Sequence, residues 1–301
     1  YNTVFGYKAL TNNGTVLGNV GADYNVAIGD LAMGTGTTTT ATFNVGVGYA
    51  ALEDITDGTY NTAIGAGACR NLTEGDDNVA ISTNSMYNTT TNSDCVAVGR
   101  DALFSLDGSD TNAADGSVAV GYFALRLLTS GIGNVAVGAY ALDAASTSDY
   151  NTAVGYQSLS AVTTGNGSNT AVGWSAGGAL TTGENNTVMG YGAFDAAAVS
   201  ESNNVAIGIN AMGACDQGTR GGSDVDGNVC IGASAGFGGD FGDTGSDLDL
   251  VNNVAIGINA MDGTGVIGGN QNVFIGQDAG GGSWVTAASN ENVGIGAFAL
   301  N

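Results

Sequence analysis

The chain of 301 residues contains no histidine and no proline, and only five of its residues are basic. The lack of histidine removes the most frequent general base of enzymes and excludes Ser-His and Cys-His nucleophile systems. The acidic residues lie in variable stretches and single out no carboxylate pair of the kind that cleaves glycosidic bonds. We therefore expect no catalytic residues and no enzymatic activity.

The chain has 28 acidic residues against these five basic ones, and its formal net charge is -23. Such a charge repels nucleic acids and anionic membrane surfaces. No apolar run approaches the roughly 18 residues of a membrane span. The glycine-rich stretches, such as GAGA, lack the strand, loop and helix order of a phosphate-binding loop. We expect no nucleic-acid partner, no membrane insertion in this segment and no cofactor-binding residues.

The four cysteines lack the paired spacings, such as C-x2-C, that a zinc site needs. They are Cys69, Cys95, Cys215 and Cys230. Cys69 and Cys95 lie almost two repeats apart, and a disulfide needs Cα atoms closer than about 7 Å. The cysteines are therefore predicted to be single buried thiols that act as small apolar residues.

Two insertions are rich in aspartate, which is a ligand that calcium prefers. Their acidic residues are Asp216, Asp224 and Asp226 in the first and Asp240, Asp243, Asp247 and Asp249 in the second. The spacing matches neither an EF-hand nor a nonapeptide calcium repeat. We interpret both insertions as solvated loops and assign no metal ligands.

One nine-residue motif recurs along the whole chain, for example as NTAVGYQSL from Asn151 to Leu159. Most copies follow the previous one after 17 or 18 residues, and the longest steps separate Asn204, Asn228 and Asn253. The first residue of each copy, motif position 1, is Asn2, Asn25, Asn44, Asn61, Asn78, Cys95, Ser117, Asn134, Asn151, Asn169, Asn186, Asn204, Asn228, Asn253, Asn272 or Asn292. Residues 1–301 are thus predicted to form a single repetitive β-solenoid array. Because the sequence starts one residue before a motif and ends just after one, we expect it to be a segment of a longer fibre chain.

Each motif has the pattern of a short strand followed by a turn. Positions 2 and 4 carry Val, Thr, Ile or another strand-forming residue, whereas position 3 is mostly Ala. Since residues two apart share a face of a strand, we expect positions 2 and 4 to point into the core and position 3 to point outward. Position 5 is Gly in every copy except Ser82, which indicates a positive φ or a close backbone approach.

A single repeat buries too few side chains to offset the conformational entropy of ordering it, so neighbouring repeats must stack. The sequence therefore predicts an all-β parallel β-solenoid of about sixteen coils, with the position-1 amides stacked along one corner. The outward line of alanines predicts a seam for close contact with other chains. We expect three chains around one axis.

The unit N-[TV]-A-[IV]-G-x-x-A-[LM], seen as NVAIGDLAM, NTAIGAGAC, NVAVGAYAL and NVAIGINAM, resembles the head repeats of trimeric autotransporter adhesins of the YadA-like type. It is also similar to longer-period repeats of phage tail fibres, and the resemblance covers all sixteen copies. The resemblance implies a left-handed parallel β-roll, a homotrimer and an extracellular stalk or adhesive head. The adhesin heads have a shorter period, so the additional residues of this chain must bulge outward.

These observations predict a structural or adhesive extracellular fibre, namely a trimeric β-solenoid shaft or head of a phage tail fibre. The alternative is a bacterial trimeric surface adhesin. An ice-binding solenoid is less favoured, because the threonines of position 2 are expected to face inward. Long loops of a solenoid often carry binding. Loops 213–227 and 237–252, with Phe237 and Phe241, are candidates for contacting a host-cell glycan or protein, as are 11–24 and 104–116, with Phe104.

Overall fold

A computed structural model describes residues 1–12, 15–16, 21–35, 40–104, 114–165, 167–196, 201–213, 225–236, 250–262, 269–282 and 290–300. The chain is an all-β parallel β-solenoid, and these residues contain no helix. It divides into two compact units, Tyr1–Tyr150 (unit 1) and Asn151–Asn301 (unit 2).

In both units, every motif copy forms one three-residue strand at positions 2 to 4. In unit 1 these strands are β1 (Thr3–Phe5), β4 (Val26–Ile28), β5 (Val45–Val47), β6 (Thr62–Ile64), β7 (Val79–Ile81), β8 (Val96–Val98), β9 (Val118–Val120) and β10 (Val135–Val137). They pair in parallel in this order and without register shift. A short antiparallel pair, β2 (Thr11–Asn12) and β3 (Thr15–Val16), interrupts the chain order after β1.

Unit 2 has the same arrangement. Its strands are β11 (Thr152–Val154), β12 (Thr170–Val172), β13 (Thr187–Met189), β14 (Val205–Ile207), β15 (Val229–Ile231), β16 (Val254–Ile256), β17 (Val273–Ile275) and β18 (Val293–Ile295). Each pairs in parallel with the next, position for position. Insertions between the motifs therefore leave the register unchanged.

Hydrogen bonding between successive repeats extends beyond the strands. The position-5 amide donates to the position-4 carbonyl of the preceding repeat, as from Gly48 N to Ile28 O at 2.8 Å. The position-9 amide donates to the position-8 carbonyl of the following repeat, as from Met33 N to Ala51 O at 3.0 Å. Parallel stacking thus satisfies the backbone of the turns as well as that of the strands.

The expected need for glycine at position 5 is confirmed. Gly29 has a φ of +133°, and a Cβ there would lie 2.3 Å from the carbonyl oxygen of Gly48 in the next repeat. Three further positions adopt the left-handed conformation without needing glycine: positions 7 and 9, and the residue before position 1, which we call position 0. Leu159 at position 9 has a φ of +50° and Tyr60 at position 0 a φ of +58°.

The expected orientation of the strand faces was wrong. Position 3 is buried in every strand except β1, and Ala153 is fully inaccessible, whereas positions 2 and 4 are exposed or half-buried throughout. The core is narrow, because large side chains of position 9, such as Leu159 and Met33, already occupy it. At Gly46, a Cβ would lie only 3.3 Å from Cε of Met33. Position 3 therefore has space for little more than a methyl group.

The predicted amide ladder at position 1 is confirmed, and it lies inside the corner of the solenoid. Asn61 Oδ1 accepts hydrogen bonds from Asn78 N at 3.1 Å and from Asn78 Nδ2 at 2.9 Å. Asn61 Nδ2 donates to Gly75 O at 2.7 Å, which closes the end of its own repeat. Each buried asparagine thereby links two repeats and leaves its own polar atoms satisfied.

Candidate functional site

The outer surface of the strands carries a band of apolar side chains, which we call the outer band and define as motif positions 0, 2, 4 and 6. Within the described residues, all but four of the exposed large apolar side chains belong to it, the four being Val4, Leu127, Phe298 and Leu300. Val4, Phe298 and Leu300 lie in the first and last repeats, which have a neighbour on one side only. Exposed apolar surface of this extent is typical of an interaction site.

Stacked aromatic rings form one margin of the outer band in unit 1. The rings of Tyr24 and Phe43 are 4.9 Å apart and inclined by 3°, and those of Phe43 and Tyr60 are 5.0 Å apart and inclined by 1°. All three are at position 0 and are about half exposed. The parallel register places successive position-0 residues directly above one another, which produces the stack.

In unit 2, aromatic residues stack along the other margin, at position 6. The rings of Trp174 and Tyr191 are 4.7 Å apart, and Tyr156 stacks more loosely at 6.4 Å from Trp174. Ile209 and Ile258 continue the line, with 58% and 55% of their surfaces exposed. These residues follow the position-5 glycine and flank the Val, Ile and Met side chains of position 4.

The face that we expected to contact other chains is not available for that purpose. Ala153, Ala171 and the other position-3 alanines lie inside the solenoid with no accessible surface. The exposed Val and Ile residues of positions 2 and 4 occupy the outward place that the alanines were expected to hold. An interface on this side of the strands would therefore involve large apolar side chains.

A second surface feature is a group of two arginines and three aromatic rings in unit 1. This arginine–aromatic cluster consists of Arg100, Tyr122, Phe123, Arg126 and Tyr140, from three successive repeats at positions 6, 7 and 10, where position 10 is the residue that follows the nine-residue motif. The guanidinium carbon of Arg100 lies 4.5 Å from the Tyr122 ring centre and that of Arg126 lies 4.3 Å from the Phe123 ring centre. Cation–π contacts of this kind hold both arginines against the surface.

The charges around the cluster are nearly balanced. Asp101 Oδ2 lies 3.6 Å from Arg100 Nε. Burial raises the pKa of the Asp143 carboxyl, while its own backbone amide and the charge of Arg126 lower it. Nε of Arg126 is buried and has no hydrogen-bond partner among the described residues. Arg126 is thus held by a ring and not by a direct ion pair.

Arg70 provides a contrast, because its polar atoms are engaged. It occupies position 10, as Arg126 does, and its Nε donates to Glu53 Oε2 at 2.5 Å. A terminal nitrogen of its guanidinium donates to the Tyr87 hydroxyl, and Tyr87 stacks on Phe104 at 5.4 Å. Phe104, a predicted contact residue, is therefore part of this row of side chains on the surface.

Most of the predicted binding loops lie outside the described residues. This is so for residues 214–224 and 237–249, with Asp216, Asp224, Asp240, Asp243, Asp247, Asp249, Phe237 and Phe241, and for much of 11–24 and 104–116. Asp226 is described, and its Oδ1 accepts a hydrogen bond from Ser202 N at 2.6 Å. Asp76 and Asp149, also two residues before position 1, accept from backbone amides in the same way. These aspartates are structural corner residues, which their recurrence in the sequence could have indicated.

The buried thiols are confirmed for three of the four cysteines. Cys69 and Cys95 are buried and free, Cys230 is buried, and Cys215 lies outside the described residues. Burial raises the pKa of the Cys95 thiol to about 12 and raises that of Cys69 further. Both thiols are therefore protonated and unreactive at neutral pH.

No group of three or more His, Cys, Asp or Glu side chains in the described ranges is arranged to hold a metal ion. Nor does any helix there have the length and apolar character needed to cross a membrane. Comparisons of the chain with known protein families and with curated proteins found no match.

Proposed function

We propose that this chain is a structural and adhesive segment of an extracellular fibre, in which three copies associate side by side through the outer band. It would form the shaft or head of a phage tail fibre and present a host-binding surface. The observation that carries the proposal is the outer band itself, in which strand after strand exposes Val, Ile or Met at position 4. The resemblance of the repeats to trimeric adhesin heads and tail fibres supports the number of copies and the extracellular location.

The energetics favour association through this band. Each large apolar side chain transferred from water to an interface contributes up to about 1.5–3 kcal/mol. Bringing two proteins together costs about 4–15 kcal/mol in lost freedom. The outer band supplies more such side chains than this requires, because all but four of the 25 exposed large apolar side chains of the described residues belong to it. The aromatic margins would add further area at the edges of the contact.

Light scattering tests the proposal directly. We expect a mass of about three times 29.5 kDa for the purified chain. Met189→Glu, in the centre of the outer band, should shift the protein to monomers because it places charges in the interface. Leu127→Glu is the matched control, since Leu127 is 44% exposed but lies outside the band. A monomeric parent, or equal effects of the two substitutions, would exclude the outer band as the contact.

A bacterial surface adhesin remains the alternative within the same fold class. It would use the same three-copy assembly but would be secreted and anchored by its own chain. The full-length reading frame distinguishes the two hypotheses. A secretion signal before the repeats and a membrane anchor after them would favour the adhesin.

A second candidate function, binding to ice, is favoured by one observation. Position 2 faces outward, contrary to expectation, and Thr152, Thr170 and Thr187 stand in register on three neighbouring strands. An exposed threonine row at the strand spacing of about 4.8 Å is regular enough to order water. The exposed rings of Tyr156 and Trp174 beside it make the surface uneven. A thermal hysteresis assay would detect the activity.

A further inference from the structure

We propose that the arginine–aromatic cluster of unit 1 is a binding site for an acidic sugar, a pyranose that carries a carboxylate. The site lies within one chain, so it does not require the association of three copies. It rests on the proposed function only in that its ligand is a surface glycan.

Arginines are concentrated in this cluster, although the chain is strongly acidic and poor in basic residues. Only five of the 301 residues are basic, and two of these, Arg100 and Arg126, make cation–π contacts with the Phe123 ring. The guanidinium carbons of Arg100 and Arg126 lie 5.9 and 4.3 Å from its centre. A planar guanidinium presents paired donors that match the two oxygens of a carboxylate. One arginine can therefore take the acid group while the other donates to a neighbouring hydroxyl.

The aromatic rings provide the second element that a sugar needs. Tyr122 and Phe123 are 3.9 Å apart, and Tyr140 meets Tyr122 edge-on at 5.3 Å. All three rings are partly exposed. Aromatic surfaces of this kind cover the apolar C–H face of a pyranose, and the Tyr hydroxyls can bond its polar rim. Arg100 already donates to the Tyr122 hydroxyl at 2.6 Å, which orients both groups.

Nε of Arg126 has no hydrogen-bond partner in the described part of the chain, and we therefore assign Arg126 as the main residue that binds the carboxylate of the sugar. Its Nε is sealed from solvent without a partner, whereas the equivalent Arg70 is bound by Glu53 and Tyr87. A ligand from solvent cannot reach this Nε, so the terminal nitrogens of the Arg126 guanidinium are the donors that would meet an incoming carboxylate. The ring contact keeps the group in place meanwhile.

The nearby carboxylates favour a singly charged ligand. Asp101 lies beside Arg100, and Asp143 lies within electrostatic range of Arg126. The two arginines and two aspartates together carry no formal net charge. A monoanion would experience a weak net repulsion from the remainder of the chain, and a doubly charged phosphate would experience more. This selects a sugar acid over a phosphate monoester.

Calorimetric titration of the full chain with galacturonic acid, which carries a single carboxylate, tests the site, with galactose as the neutral sugar and inorganic phosphate as the simple anion. We expect galacturonic acid alone to bind, with a Kd on the order of 1 mM or tighter. Arg126→Gln and Arg100→Gln should each weaken binding by about tenfold, as the loss of a charge-assisted hydrogen bond predicts. Arg70→Gln is the matched control and should leave the affinity unchanged.

Three results would overturn the assignment: no binding of galacturonic acid, equal binding of galactose, or tighter binding of phosphate. A loss of affinity in Arg70→Gln as large as that in Arg126→Gln would also exclude the cluster as the site. Melting temperatures of the variants establish that they are folded. Light scattering on the same samples separates this inference from the proposed assembly, because a monomer that binds the sugar acid retains the site and loses only the fibre contact.

Discussion

The two units depart from the common repeat at different places. In unit 1 the hydrogen-bonded corner varies: Ser82 replaces the glycine of position 5, and Cys95 and Ser117 replace the asparagine of position 1, while position 3 differs from alanine only at Val4 and Gly46. In unit 2 both corner positions are invariant, and position 3 varies more, with Val188, Cys230, Phe274 and Gly294. Corner and core are therefore separate requirements, and each tolerates a departure only where the surrounding residues accommodate it.

The accommodation in the core of unit 2 is a matter of volume. Phe274 is fully buried, and the position-9 residue of its own repeat is Gly280, where a Cβ would lie 2.7 Å from the Phe274 ring. Cys230 is paired in the same way with Gly236, whose Cβ would lie 2.3 Å from the cysteine sulfur. Phe274 and Cys230 thus occur with glycine at position 9 of their own repeats, because the two side chains compete for the same space.

The accommodation at the corner of unit 1 is a change of hydrogen-bond partner. Cys95 N still donates to Asn78 Oδ1 at 3.0 Å, but the cysteine has no amide to continue the ladder. Ser117 N donates instead to Ala114 O at 3.1 Å. Ser117 Oγ then accepts from Asn134 N at 3.3 Å, which restarts the ladder.

The largest predicted effect tests what the two units share, the inward position 3. Ala171→Asp should abolish the fold of unit 2, because a carboxylate would enter a core without a partner, at an expected cost above about 4 kcal/mol. Val172→Asp, one residue later, should remain folded. Hydrogen exchange over residues 152–213 measures both. In unit 1, Ala136→Asp should likewise unfold its unit, and Val137→Asp should remain folded. An unfolded Val137→Asp beside a folded Ala136→Asp would show that the inward faces of the two units differ.

The second prediction concerns the core volume of unit 2. Phe274→Ala should destabilise the protein by about 3–5 kcal/mol through the cavity it leaves. Gly280→Leu alone should destabilise it by about 1–3 kcal/mol or more, because the new side chain meets the Phe274 ring. The double variant restores the common pair of Ala at position 3 and Leu at position 9, and it should recover most of the loss. Urea denaturation of the parent, the two single variants and the double variant measures the free energies of this double-mutant cycle. If the losses of the two single variants added up in the double variant, the two side chains would not compete for the same space.

The third prediction compares the continuous and interrupted ladders. Asn204 Oδ1 accepts from Asn228 N at 2.9 Å and from Asn228 Nδ2 at 3.1 Å, and Asn204 Nδ2 donates to Val225 O at 2.6 Å. Asn204→Ala removes these hydrogen bonds to Asn228 N and Val225 O inside the corner and should cost about 3 kcal/mol. Ser117→Asn should instead stabilise unit 1 by about 1 kcal/mol by extending its ladder. Urea denaturation measures both changes, and equal, small effects would mean that the ladder contributes little.

The sequence was sufficient to predict the parallel solenoid, the strand at each motif, the special glycine of position 5 and the asparagine ladder. All of these depend on the repeat itself, because stacking multiplies any preference of one position. The orientation of the strand faces was predicted wrongly. Because side chains alternate along a strand, either positions 2 and 4 or position 3 can point into the core. We assigned the larger residues of positions 2 and 4, such as Val154, to the core. That rule fails when the outer face is itself apolar and the inner space is already filled by residues such as Leu159.

The arginine–aromatic cluster was also missed, and the reason is register. Arg100 and Tyr122 are 22 residues apart because their repeat carries an insertion, so they appear unrelated along the chain. They become neighbours only when the motifs are aligned and positions 6, 7 and 10 of three repeats are read together. Such an alignment was possible from the sequence, but the contact of Arg126 with the Phe123 ring required the conformation of the turn.

The smallest predicted effect concerns acidic residues of position 10, where the units differ in charge environment. Burial raises the pKa of Asp195 in unit 2, and no arginine opposes it. A raised pKa in the folded state means that the native protein holds the proton more tightly than the unfolded chain does. The ionised group therefore lowers stability as pH rises from the unfolded value of 3.8 through the folded value, and the penalty is absent below 3.8.

Asp195→Asn should accordingly raise the melting temperature at pH 7 by at most about 2 °C and have no effect at pH 3. Asp143→Asn in unit 1 should gain less, since Arg126 lowers the pKa of Asp143 and the substitution removes that favourable interaction. Glu74→Gln, at an exposed position, controls for the loss of one negative charge from an acidic chain. If the melting temperatures of all three variants rise equally at pH 7, general charge repulsion limits the stability, and burial at position 10 does not. If Asp143→Asn gains the most, Arg126 does not act on Asp143, and the charge balance inferred for the arginine–aromatic cluster would be wrong.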